Sequence, residues 1–99
     1  MENENKSITK EHLEKYLSIS EKALSKSKVA SPERTHLHAA AKDALDMVRR
    51  YLDDSKHFMQ KGDYVRALSA INYAHGWLDA SARLGLLDVD HDSDLFTVD

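Results

Sequence analysis

The stretch MQKGDYVRALSAINYAHGWLDA, residues 59–80, joins two long helical patterns across one short turn. Lys61 adds a positive charge to the last turn of the first helix, and Gly62 can take the left-handed backbone conformation that ends a helix. Asp63 follows as an N-cap for the next helix, because its carboxylate can accept a hydrogen bond from a free backbone N–H. These three residues therefore predict a tight α-hairpin.

Apolar residues on both sides of the turn recur every three or four positions, which is the spacing of one face of an α-helix. Before the turn this spacing predicts a helix over residues 32–60, with Ser31 as its N-cap and Pro32 in its first turn. After the turn it predicts a helix over 64–84 that stops at Gly85. The apolar stripe of the longer helix consists of Leu37, Ala40, Ala41, Ala44, Leu45, Val48, Tyr51, Leu52, Ser55, Phe58 and Met59.

A third and narrower apolar stripe precedes these two helices. It predicts a helix over residues 9–28, with Thr9 as its N-cap. Ile8 before the cap and Leu13 after it are spaced to form a hydrophobic staple, which fixes the angle at which the chain enters the helix.

The composition fits a single small helical domain. The chain has 99 residues, of which 41% are hydrophobic and 31% charged, with only 3 Gly and 1 Pro to make turns. Together with the three helical patterns, this predicts an all-α fold, an antiparallel three-helix bundle. We expect the bundle to occupy residues 9–87, between a disordered N-terminus at 1–8 and an acidic, partly docked C-terminal tail at 88–99.

Charge and cysteine content exclude several classes of protein. The net charge of −3 gives no overall positive field for nucleic acid, and no apolar run approaches the roughly 20 residues that span a membrane. The chain has no cysteine, and its polar N-terminus lacks the apolar segment of a signal peptide, so we expect a cytoplasmic protein. Without metal-spaced Cys and His residues or a glycine-rich phosphate loop, we expect no metal and no cofactor.

Trp77 is the main indication of function. It lies about 100° around the third helix from the core positions, so that apolar residues cover about 240° of this helix, more than two neighbouring helices need. Trp and Tyr beside small residues are typical of binding hot spots. We therefore predict an interaction surface for a second copy of the chain or for another protein. This surface consists of Ala70, Tyr73, Trp77, Ala80 and Leu84.

The wide apolar arc also has a structural explanation. The third helix could be central in the bundle, or the apolar Leu95–Val98 segment of the tail could cover it, and in both cases Trp77 belongs to the core. A Trp77→Asp substitution separates the interpretations, because it unfolds the domain if Trp77 is core and only weakens association if Trp77 lies on a binding surface.

An alternative function involves Arg50 and His57, which are seven residues apart on the polar face of the second helix. This spacing resembles the motif of the helical RNases known as HEPN domains. That resemblance implies a dimer in which the Arg holds a phosphate and the His acts as acid or base. Asp53 and Asp54 beside the pair would repel a phosphate, so a solvated charged face is the simpler interpretation.

Two other clusters favour structural interpretations. His75 and Asp79 lie one helical turn apart and predict a half-buried pair rather than a metal ligand or a general base. The alternating acids at 88, 90 and 92 have the spacing of a calcium loop, but Ser93 occupies the position where the sharp turn of such a loop needs Gly. An acidic solubilising tail is the simpler interpretation of this segment.

The sequence from Leu45 to Leu87 resembles the archaeal domain-of-unknown-function family 357, a family of short proteins without an assigned activity. The strings Lys61–Tyr64 and Gly76–Ala80 carry the closest likeness. The resemblance implies an archaeal source, a cytosolic protein and a three-helix bundle, and it leaves the function open. The other matching residues are Tyr51, Asp54, Ser55, Phe58, Ala67, Tyr73, Ala74, Gly85 and Leu86.

Overall fold

The computed structural model describes residues 7–30 and 32–88, which form three helices and a short β-ribbon. The helices are α1 (Lys10–Ser25), α2 (His36–Gln60) and α3 (Tyr64–Arg83), and the strands are β1 (Lys28–Val29) and β2 (Leu87–Asp88). α2 and α3 share the largest interface, and α1 packs against both. The predicted all-α three-helix bundle is confirmed.

The turn between α2 and α3 has the geometry that its sequence predicts. Gly62 has a φ of 78°, in the left-handed region. Its N–H donates to the Met59 carbonyl at 3.0 Å, and the Asp63 N–H donates to the Phe58 carbonyl at 2.9 Å, which is a Schellman motif. The Asp63 carboxylate then accepts a hydrogen bond from the Arg66 N–H at 3.2 Å. Asp63 therefore closes α2 and also begins α3.

The end of α3 repeats the same motif. The N–H groups of Gly85 and Leu86 donate to the carbonyls of Ala82 and Ser81, at 3.1 and 2.9 Å. Leu86 packs back on the hydrophobic core, as expected from its place after the glycine. The stop at Gly85 is therefore confirmed, and it directs the chain into β2.

The β-ribbon was not predicted. α1 ends at Ser25 instead of continuing to residue 28, because the next residues form β1. β1 pairs with β2 in antiparallel register, with Lys28 opposite Asp88 and Val29 opposite Leu87. The apolar pair of the ribbon, Val29 and Leu87, packs on the core.

The predicted start of α2 was wrong. Instead of Ser31, the N-cap is Thr35, whose hydroxyl accepts from the His38 N–H at 3.0 Å and donates to the Pro32 carbonyl at 2.8 Å. Arg34 has a φ of 67°, and a residue in this region cannot continue a right-handed helix. The helix can therefore begin only after Arg34.

The core lies along the seam between α2 and α3 and is divided into two clusters. The larger cluster lies beside the β-ribbon, and the smaller one, built on Leu13, Ala67 and Ile71, lies beside the hairpin turn. Ile8 packs on the smaller cluster with Leu13, in agreement with the predicted staple. The larger cluster consists of Ala23, Ala41, Leu45, Val48, Leu52, Ala74, Leu78, Ala82 and Leu87.

Several predictions concern residues outside the described ranges. The predicted disorder of the N-terminus falls mostly on residues 1–6, and the predicted docking of the tail falls on residues 89–99. Ser31 also lies outside the described residues. Among the residues that are described, no helix is both long and apolar enough to cross a membrane.

Candidate functional site

A row of aromatic rings crosses from α2 to α3 at the surface of the bundle. The rings of Tyr51 and Tyr73 meet edge to face, with centroids 4.6 Å apart and planes at 72°. Tyr73 also meets Trp77 edge to face, at 6.4 Å and 86°. Tyr73 nevertheless keeps 51% of its surface exposed. We call these three residues, together with Phe58, the aromatic face.

Two grooves flank Tyr73 on this face. The first lies between α2 and α3, has a volume of about 480 Å³, and we call it the hairpin groove. The second lies along α3, has a volume of about 400 Å³, and we call it the Trp77 groove. The hairpin groove is lined by Tyr51, Asp54, Phe58, Arg66, Ser69, Ala70 and Tyr73. The Trp77 groove is lined by Asn72, Tyr73, Gly76, Trp77 and Ala80.

The Trp77 groove exists because small residues surround a large one. A Cβ added at Gly76 would meet no atom within 4 Å, so the glycine is not required by a close helix contact. Glycine in a helix interior costs about 0.5–1 kcal/mol relative to alanine. The chain therefore carries a destabilising residue whose visible structural effect is to leave the groove open.

The predicted interaction residues do not all lie together. Tyr73, Trp77 and Ala80 line one groove, and Ala70 forms part of the buried floor of the other. Leu84 is 76% exposed at the C-cap of α3 and lines neither groove. Trp77 is half-buried and packs on the larger core cluster, so it takes part in both the fold and the surface.

The α2 side of the aromatic face was missed from the sequence. Tyr51 and Phe58 belong to the apolar stripe of α2, and the predicted interaction surface included residues of α3 only. In the structure both are half-buried at its edge, where they line the hairpin groove. Their spacing of seven residues was the available signal, since it places them on one side of the helix.

The hairpin groove carries one acid and one base. Asp54 reaches it from α2 and Arg66 from α3. The Arg66 guanidinium lies 5.9 Å from the centroid of the Phe58 ring, and its Nε is 3.5 Å from the Asp63 carboxylate. These contacts position a cation at the end of the groove near the hairpin turn.

His75 connects α1 to α3. Its Nδ1 lies 3.0 Å from the Ser20 Oγ, and its Nε2 lies 3.8 Å from the Asp79 carboxylate, so the pair with Asp79 is present as predicted. Ser20 is buried in the middle of α1, where the surrounding N–H groups are used by the helix. The three groups therefore link α1 to α3. Ser20 does not have the surroundings of a serine nucleophile, which needs access for a substrate and free N–H donors beside it.

Arg50 and His57 both lie on the exposed side of α2. Arg50 pairs with Asp46 at 3.1 Å, and the seven residues between Arg50 and His57 correspond to about 10.5 Å of helix. One chain supplies one such pair, so the RNase alternative stays a prediction that requires a dimer. Within residues 7–30 and 32–88, no three His, Cys, Asp or Glu side chains are grouped to hold a metal ion.

These features define a small helical bundle with an aromatic face at its surface, centred on the exposed Tyr73. Residues 15–87 match the family described as Protein of unknown function (DUF357), and the chain belongs to this family. In the same comparisons no curated protein and no solved structure matched the chain.

Proposed function

We propose that the protein is a non-enzymatic interaction module that self-associates through the aromatic face. The observation that carries the proposal is the row Tyr51–Tyr73–Trp77, whose central ring, Tyr73, is exposed between two grooves. Tyrosine and tryptophan beside pockets are the residues that most often dominate binding energy between proteins. The cytoplasm is the proposed location, in keeping with a chain that has no cysteine.

Two features of the aromatic face are explained better by binding to a protein than by the stability of the fold. Tyr73 makes its ring contacts with two residues that are themselves on the face. Gly76 lowers the stability of α3 while it deepens the groove beside Trp77. Both features cost the isolated domain stability or solubility, and both are accounted for if another surface covers them.

A second copy of the chain is the partner that we propose. In a twofold dimer the same patch is used by both subunits, so that residue i meets residue j and residue j meets residue i. The hairpin groove has Asp54 on one helix and Arg66 on the other. A twofold axis between them brings each acid of one subunit to the base of the other, and the aromatic rings then meet between the two charge pairs.

Charge reversal tests this arrangement by light scattering after size exclusion. The wild type is expected to elute as a dimer, twice the mass of the 11.2 kDa chain. Asp54→Arg and Arg66→Asp each place like charges in the interface, so each alone is expected to be monomeric. An equimolar mixture of the two variants is expected to form a heterodimer, because both contacts then join opposite charges.

The matched control is Asp53→Arg, which makes the same charge change at an exposed position next to Asp54 and outside both grooves. It is expected to dimerise like the wild type. A monomeric wild type at high concentration would exclude self-association. A wild-type dimer that survives both single reversals would move the interface away from the hairpin groove.

A further inference from the structure

The two ends of the hairpin groove differ in their charge. At the end near the turn, the Arg66 guanidinium lies 5.9 Å from the centroid of the Phe58 ring, and its Nε lies 3.5 Å from the Asp63 carboxylate. At the far end the rings of Tyr51 and Tyr73 meet, with their centroids 4.6 Å apart. No lysine or arginine among the described residues lies over either tyrosine ring. The far end therefore offers aromatic surface without a cation of its own.

Asp54 adds a negative charge beside this aromatic end. It lines the groove and follows Tyr51 by three residues, which corresponds to a rise of about 4.5 Å along α2. Within the part of the chain that the structure describes, Asp54 forms no ion pair, and Arg66 pairs with Asp63 instead. Because the charges of Arg66 and Asp63 offset each other, the Asp54 carboxylate gives the groove a negative charge.

The aromatic end suits a cation that carries methyl groups. The planes of the Tyr51 and Tyr73 rings are inclined at 72°, so the two rings form two walls of a corner. Aromatic faces attract cations, and surfaces built from several rings bind quaternary ammonium groups. A plain ammonium group is strongly hydrated and needs hydrogen-bond acceptors. A trimethylammonium group has no N–H, so it can lie against the rings while one side faces a carboxylate.

We propose that the hairpin groove binds a small organic cation with a trimethylammonium group, which lies against Tyr51 and Tyr73 with Asp54 as its counter-ion. In the proposed dimer the same carboxylate faces Arg66 of the second copy, so the cation and the second copy compete for one site. The binding stands without the dimer, and only the competition rests on the proposed function. A cation that binds only the monomer shifts the equilibrium towards monomers by mass action.

Choline is the probe, and it is titrated into the protein at a concentration where light scattering shows monomers. We expect a Kd in the millimolar range, because cation–π contacts and an exposed ion pair each contribute little. Amide NMR signals of Ser69 and Ala70, which line the groove, are expected to shift. The choline methyl protons are expected to show nuclear Overhauser effects to the ring protons of Tyr51 and Tyr73.

Two controls separate recognition of the cation from general effects. The first is the uncharged analogue of choline, in which a carbon atom replaces the nitrogen and the shape is kept. The second is sodium chloride at the same concentration, which screens charges equally but has no methyl groups. Both are expected to shift the signals of Ser69 and Ala70 far less than choline does.

Paired variants then test the charge and the ring. Asp54→Asn is expected to weaken choline binding about threefold or more, whereas Asp53→Asn, at the exposed neighbouring position outside the groove, is expected to change nothing. Tyr51→Leu keeps an apolar side chain without the ring and is expected to weaken binding by about the same factor. Tyr51→Phe keeps the ring and is expected to bind like the wild type. Unchanged amide dispersion shows that each variant is folded.

The molar mass in solution tests the competition separately. Choline is expected to convert the wild-type dimer into monomers at concentrations where sodium chloride does not. A wild type that is monomeric without choline would contradict the proposed dimer, and the titration would still decide whether the cation binds. A dimer that choline does not dissociate, although choline binds the monomer at Asp54 and Tyr51, would contradict the competition.

Three results would overturn the proposed cation site. The first is equal binding of choline and its uncharged analogue, or no binding of either to the monomer, because the groove would then not recognise the charge. The second is choline binding that survives both Asp54→Asn and Tyr51→Leu, which would place the cation elsewhere. The third is a trimethyllysine peptide that binds at least about tenfold more tightly than choline, which would assign the groove to a modified protein chain instead of a free small cation.

Discussion

Ala74 and Gly76 are two small residues on the same helix, and they are small for opposite reasons. Ala74 is completely buried in the larger core cluster, among residues of α2 such as Val48 and Leu52. Gly76 faces open space, and a Cβ there would touch nothing within 4 Å. Small residues on the inner side of α3 therefore serve packing, whereas those on the outer side leave a groove beside Trp77. We therefore expect substitutions on the inner side to change the free energy of unfolding and those on the outer side to change self-association.

The largest effect is expected on the inner side. Leu78 is fully buried between the helices, so Leu78→Ala removes apolar contacts and leaves a cavity. We expect a loss of about 2–5 kcal/mol in the free energy of unfolding, measured by urea denaturation. Leu84→Ala is the matched control, because the same change at an exposed position should cost less than about 0.5 kcal/mol.

Trp77 belongs to both sides, and its substitution is expected to change both properties. Since the indole packs on the core from a half-buried position, Trp77→Asp should cost about 2 kcal/mol of stability, less than a fully buried tryptophan. It should also weaken self-association by about 30-fold or more, as for a hot-spot residue. Denaturation and light scattering of one sample measure both. A loss of stability without any loss of association would assign Trp77 to the core alone.

Gly76 offers the clearest separation of the two sides, because the expected effects have opposite signs. Gly76→Ala should raise the free energy of unfolding by about 0.5–1 kcal/mol, since alanine favours the helix and meets no neighbour here. The same methyl group narrows the Trp77 groove and should weaken association. A variant that is more stable and associates equally well would show that the groove is not part of the interface.

The smallest effect is expected at a surface contact that belongs to neither side. Lys56 Nζ lies 2.8 Å from the Glu21 carboxylate, and this hydrogen bond and charge raise the pKa of Lys56 above its ordinary value of 10.5. Both side chains are about half exposed, so Lys56→Met should cost no more than about 1 kcal/mol.

The pH dependence of this small effect has a definite sign. A raised lysine pKa adds stability that is complete below pH 10.5 and is lost as the pH rises through the pKa of the folded state. The difference in stability between wild type and Lys56→Met should therefore be constant from neutral pH up to about pH 10 and shrink above pH 10.5. A difference that grows in alkaline solution would contradict the pairing with Glu21.

The elements that the sequence predicted correctly are those whose chemistry is local. Gly62 and Asp63 determine the hairpin turn through their own backbone conformation and side chain, and both roles were visible from neighbouring residues. The start of α2 was predicted at the wrong residue, since Ser31 has the chemistry of an N-cap and so does Thr35, which takes that role. The left-handed backbone of Arg34 prevents a helix from starting at Ser31, and an arginine side chain gives no indication of that conformation.

Long-range features could not be predicted in the same way. β1 and β2 have two residues each, too few to show an alternating pattern, and their pairing joins Val29 to Leu87 across most of the chain. The apolar arc of α3 is wider than the core needs, and this width predicted that Tyr73 and Trp77 belong to an interaction surface. The matching residues Tyr51 and Phe58 were not part of the predicted surface, because a stripe on α2 does not show which of its edges a neighbouring helix leaves exposed.

The central claim is that the aromatic face serves association, and Tyr73 tests it most directly because it is the most exposed aromatic ring of that face. The measurement is the molar mass of Tyr73→Ala by light scattering over a range of concentrations, with its stability measured in dilute solution. Val65→Ala is the control, since Val65 is 68% exposed on α3 and lines neither groove. We predict that wild type and Val65→Ala are dimers, whereas Tyr73→Ala is a monomer that loses no more than about 3 kcal/mol of stability, the upper value for its two aromatic pairs. A Tyr73→Ala variant that dimerises like the wild type, or one that unfolds, would contradict the claim.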